Sequence, residues 1–62
     1  MIGSLCRVNI TFLNVPCEFV GICLGHNKEK NHPWIEFKFL YEGIVEEFKL
    51  LPSEVSQCIE TL

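Results

Sequence analysis

From Cys6 to Phe12 the side chains alternate in character: Cys6, Val8, Ile10 and Phe12 are apolar, and Arg7, Asn9 and Thr11 between them are polar. A period of two fits the pleat of a β-strand and no helix, so this segment predicts a strand with one face buried and the other wet. The pattern returns after Pro33, where Ile35, Phe37, Phe39 and Tyr41 face one way and Glu36, Lys38 and Glu42 the other, interrupted by Leu40. It resumes from Ile44 to Leu51, beyond a Glu42-Gly43 turn in which glycine takes positive φ at no steric cost. There Glu46 shares a face with Ile44 and Phe48, so either a bulge resets the alternation or Glu46 lies on a wet rim.

The segments between these strands carry other signals. Asn14-Val15-Pro16 predicts a turn or bulge, because proline removes a ladder donor and biases the residue before it toward extended geometry. Phe19 to Leu24 is apolar on both faces, with Gly21 in the middle marking a bulge, a sharp bend or a close backbone approach. Gly25 to Pro33 is polar and reads as a long hairpin loop between adjacent strands. In the tail, Leu51, Val55, Cys58, Ile59 and Leu62 recur at helical spacing, with Ser53 as N-cap and Glu54 favourable in the first turn. A helical turn at Ser53 to Ser56 followed by a short closing strand is the competing arrangement, and with so few residues packing decides between them.

These elements predict a mainly β fold: a small SH3-like or Sm-like barrel of four to five antiparallel strands with one short helical element near the C-terminus. The 62 residues fit one domain, residues 1–62. At 48% apolar and 21% charged, the composition is that of a chain able to form a packed core. The uncharged runs Val8 to Cys17 and Phe19 to Asn27 fall short of the roughly 18 apolar residues of a membrane helix. No basic flank precedes a long apolar stretch in the manner of a secretory signal, so the expected setting is intracellular, in the cytoplasm.

Signals for catalysis or metal binding are thin. Cys6, Cys17, Cys23 and Cys58 lack any C-x-x-C pair, each lies among apolar neighbours, and the nearest metal-like set is Cys23 with His26 and His32. Four cysteines permit three disulfide connectivities, but an intracellular chain has little use for them. A Cys23–His26 dyad has only Asn27 and Asn31 nearby to orient the ring, and Glu46 and Glu47 point to opposite faces of a strand. Gly3, Gly21, Gly25 and Gly43 are too dispersed for a phosphate loop. The expectation is a non-enzyme with no metal and no cofactor.

Binding is the better supported class. A net charge of −3 is the wrong sign for affinity built on phosphate neutralisation. The local exception is the 25–33 loop, where Lys28 and Lys30 outnumber Glu29. Trp34 shares its strand parity with Glu36 and Lys38, which predicts either an outward aromatic beside Leu40, of the kind that dominates interface hot spots, or a cover over a barrel end next to Pro33. The expected partner-binding residues are Trp34, Leu40, Lys38 and His32. A domain near sixty residues is marginally stable alone, which favours a protein partner or a homo-oligomer, and a strand edge such as Glu36 to Glu42 can pair with another chain. The chain thus reads as a non-catalytic interaction or regulatory module.

Several pieces in order resemble the bacterial-type large-subunit ribosomal protein nineteen family, especially its mitochondrial form. They are Gly3-Ser4-Leu5 with Val8, then Phe19-Val20-Gly21-Ile22-Cys23-Leu24, then Val45-Glu46-Glu47-Phe48-Lys49-Leu50-Leu51-Pro52 with Ile59-Glu60. The resemblance implies an SH3-like barrel assembled on ribosomal RNA, with Lys28 and Lys30 of the 25–33 loop as the RNA contacts and the mitochondrial matrix as the setting.

Overall fold

The protein is described by a computed structural model covering residues 2–62. β1 (Leu5–Phe12), β2 (Val15–Lys28), β3 (Ile35–Tyr41) and β4 (Ile44–Leu50) follow one another as antiparallel hairpins, before a helix α1 (Pro52–Cys58) and a short β5 (Ile59–Thr61). The strand order is β4-β3-β2-β1-β5, so the chain returns past α1 to lie beside β1. This is the mainly β arrangement predicted above, five antiparallel strands with one short helix near the C-terminus.

The alternating residues do what their period requires. Cys6 and Val8 of β1, Cys23 of β2, Phe37 and Phe39 of β3, Leu50 of β4 and Ile59 of β5 turn to one face and form the core. Phe48 stacks parallel to Phe39 at 5.6 Å, and Phe19 meets Phe39 edge-on at 6.2 Å. The β3–β4 register is unbroken and sets Glu46 opposite Phe39, where its side chain is exposed. Of the two alternatives for Glu46, the wet rim is the one the fold adopts.

The first turn sits earlier than Asn14-Val15-Pro16 predicts. Leu13 and Asn14 make it, with φ of 50° and 65°, and both central residues are left-handed as a tight hairpin following the twist of its strands demands. Val15 and Pro16 then belong to β2, opposite Phe12 and Thr11. Proline is tolerated because β3 pairs with β2 only from Ile22 onward, and the Thr11–Pro16 pair, next to the turn-closing pair, points its backbone groups away from each other.

Gly21 is a close backbone approach: a Cβ there would stand 2.8 Å from the Leu40 carbonyl oxygen. The bulge lies further on, where Cys23 pairs with Phe39 but Gly25 with Lys38, leaving Leu24 as the extra residue. Beyond it β2 continues to Lys28, opposite Ile35. The expected 25–33 loop is therefore shorter, Glu29 to Trp34, because polar side chains on an exposed hairpin pair their backbones as well as apolar ones do.

At the tail the helix and the closing strand coexist. Leu51, not Ser53, is the N-cap; Glu54 Oε1 accepts the Leu51 N–H at 2.9 Å, and Pro52 takes a first-turn position where no N–H is required. Ile59 then turns inward against Val8. Among the described residues no helix is long and apolar enough to cross a membrane.

Candidate interaction surface

The outer face of the sheet is where the chain departs from an ordinary alternating pattern. Leu5 stands opposite Ile22, Ile22 opposite Leu40, and Leu40 opposite Val45. Directly paired residues project to the same face, so these four form one row across β1, β2, β3 and β4. The Leu62 N–H donates to the Leu5 carbonyl oxygen at 2.9 Å, one step past the Cys6–Thr61 pair, which adds Leu62 to the row beside β5. The result is an apolar ribbon about 19 Å long at the usual strand spacing. Leu40 is half-buried, and the other four are 41% to 52% exposed.

Ion pairs border the ribbon on both sides. Two residues from Leu5, Arg7 reaches Glu60 at 3.1 Å and Glu18 at 3.5 Å; two residues from Leu40, Lys38 lies 3.8 Å from Glu47. Exposed pairs of this kind contribute at most about 1 kcal/mol each to stability, so their effect here is mainly to neutralise the rim. An apolar centre within a polar, charge-balanced rim is the anatomy of a protein–protein interface. The molecule exposes 4485 Å² in all, above the roughly 4,100 Å² typical of a folded monomer of 7.2 kDa.

The predicted binding residues are divided by the fold. Leu40 is in the ribbon and Lys38 on its border. Trp34 is not beside Leu40: six residues along an extended chain place it roughly 20 Å away, at the β2–β3 hairpin end. There its half-buried ring stacks on His32 at 4.6 Å, Lys49 Nζ lies 5.1 Å from the ring centre, and its Nε1–H is buried without an acceptor among the described residues. His32 also approaches Glu29 at 3.3 Å. Lys28 and Lys30 are both placed at the tip of this hairpin, Lys28 exposed and opposite Ile35.

The sequence reasoning missed Leu5, Ile22, Val45 and Leu62. The available signal was their parity, since each is an apolar residue at an outward position, as the expected binding residue Leu40 is. Cys23, half of the dyad considered above, is fully buried, whereas His26 is exposed and tilts against Phe37 at 5.8 Å. Cys6 is buried as expected of an apolar cysteine, but Cys17 and Cys58 are only half-buried; all four are free thiols. Burial, followed by the nearby Glu54 carboxylate, pushes the Cys58 thiol above its ordinary pKa. Among the described residues no group of three or more His, Cys, Asp or Glu side chains is placed to hold a metal ion.

No protein-family model matches the chain, and no curated protein and no solved structure matches it.

Proposed function

We propose that this protein is a non-catalytic interaction module that docks by its outer sheet face onto another protein or onto a second copy of itself. The observation that carries this reading is the in-register row Leu62, Leu5, Ile22, Leu40 and Val45 lying exposed between neutralised ion pairs. Scattered exposed apolar residues are ordinary; a contiguous row spanning a whole sheet is a recognition surface. The Trp34 and His32 pair becomes a flank of that surface and not its centre.

Site-specific photo-crosslinking in the protein's own cells tests the reading. A photoreactive residue at Ile22 or Val45 is expected to give one discrete adduct, with self or with a defined partner. The same residue at the exposed Gln57 is expected to give none. Equal, diffuse labelling from all three positions would remove the proposal.

A second reading, a ribosomal large-subunit component contacting RNA, draws on Lys28 and Lys30 beside the stacked His32 and Trp34. Lysines next to a stacking aromatic suit single-stranded RNA. It predicts RNA association that weakens steeply with salt, by about one power of the salt concentration for each lysine that neutralises a phosphate, and a flat salt response would exclude it.

A further inference from the structure

The sheet has a second unpartnered feature, at the seam where its ends approach each other. β5 pairs with β1 only from Cys6 to Val8, so Asn9 to Phe12, paired with β2 on one side, run on without a strand on the other. The Leu5 carbonyl accepts from Leu62 on that side, and backbone groups alternate along a strand, so Asn9 and Thr11 present their N–H and C=O groups to the open edge. Across the gap runs β4, the edge strand of the sheet.

Between them lies a groove of two adjoining lobes, each of about 370 Å³, whose shared floor is Ile10, Phe12 and Phe48. One lobe extends to Phe19 and Tyr41, the other to Leu50 and Cys58. Each lobe falls within the roughly 300–1,000 Å³ of small-molecule and peptide clefts. The charge around the groove is one-sided: Glu18, Glu46, Glu47 and Glu54 line it against Lys49 alone. Glu18 and Glu47 are engaged by Arg7 and Lys38, but Glu46 takes part in no ion pair among the described residues, although it shares the aromatic face of β4 with Phe48.

We infer that this groove binds an extended peptide segment of another protein, added as a strand along Asn9 to Phe12, in which every second side chain is apolar save one lysine or arginine that faces Glu46. The free backbone groups of Asn9 and Thr11 supply the pairing. The period of two drops every second side chain onto the aromatic floor. The basic side chain lies on that same inward face and meets Glu46, while the side chains between point to the outer face of the sheet. A second copy of this chain is the poorer occupant, because it would bring its own net charge of −3 to an acidic groove. This site is separate from the outer ribbon and does not depend on it.

The test uses three octapeptides that alternate serine with leucine, one central leucine being replaced by lysine, by glutamine or by glutamate, titrated into ¹⁵N-labelled protein by NMR and by fluorescence anisotropy. The lysine peptide is expected to shift the amides of Asn9 to Phe12 and Ile44 to Lys49. The glutamate peptide is expected to bind about tenfold or more weakly, and Glu46→Lys to weaken the lysine peptide by about as much with its melting temperature unchanged. If Glu46→Lys does not fold, the ranking of the three peptides on the unaltered protein decides. Equal affinity for all three, or shifts confined to the outer ribbon, would overturn the inference. So would groove shifts that grow with protein concentration in the absence of peptide, which would assign the groove to a second copy.

Discussion

Ile22 and Leu40 face each other directly across β2 and β3 on the side of the sheet that points away from the core. A pair like this adds cross-strand contact worth about 0.2–1 kcal/mol, far less than its burial against a partner would. The double variant Ile22→Thr with Leu40→Thr retains strand-forming residues. It is expected to change stability by about 1 kcal/mol or less per site while abolishing association through the outer face. Urea melts and light scattering read the two effects separately. A loss of stability as large as a core truncation would mean the fold itself needs the ribbon.

Leu13 occupies a left-handed turn position, φ 50°, where a branched side chain is strained, and its side chain is 81% exposed. Replacing Leu13-Asn14 by Asn-Gly suits both positions and is expected to stabilise the protein by about 1 kcal/mol. For a domain of this size that corresponds to a melting temperature higher by about 4–8 °C. An unchanged or lower value by thermal denaturation would show that Leu13 makes compensating contacts.

Gly21→Ala is expected to destabilise. Its Cβ would lie 2.8 Å from the Leu40 carbonyl oxygen and 3.3 Å from Cε2 of the Phe19 ring, so either β3 or Phe19 must move. Overpacking of this kind costs about 1–3 kcal/mol, which a lower urea midpoint would report.

Cys58 predicts an alkaline effect. Its pKa is raised by burial first and by Glu54 second, so the fold holds the proton more tightly than the unfolded chain does. The corresponding stability is fully present below the ordinary thiol pKa and is lost as pH rises through the raised one. Cys58→Ala should flatten that alkaline decline in melts followed against pH. Glu54→Gln, which keeps an oxygen for the Leu51 N–H, should lower the thiol's pKa and speed its alkylation at a fixed mildly alkaline pH.

The strands were legible where one face is buried and the other wet, because only then does a period of two survive in the residues: β1 and β3 are the cases. Pro16 hid the start of β2, since the cost of a missing N–H depends on whether a strand lies on that side, and composition does not reveal it. The ribbon was partly countable. Two-residue turns at Leu13-Asn14 and Glu42-Gly43 put Leu5 opposite Ile22 and Leu40 opposite Val45 by arithmetic alone. The Ile22–Leu40 link was not countable, because a six-residue loop and a bulge lie between them. The seam groove was foreshadowed only by Glu46 falling on an apolar face, since an open edge is a property of the whole sheet.

The bulge at Leu24 gives β2 two phases. Up to Cys23 the odd-numbered residues turn inward; from Gly25 on, the pairing of His26 with Phe37 and of Lys28 with Ile35 turns the even-numbered ones inward. One residue therefore acts as a phase shifter that separates the apolar outer row from the polar hairpin beyond it. In a regular register without the bulge, Gly25 and Asn27 would take the inward places of His26 and Lys28, opposite Phe37 and Ile35, and the lysine-bearing end of the hairpin would face the opposite side of the protein. The two surfaces of this small chain, one apolar and one basic, can change independently because their alternation is not shared.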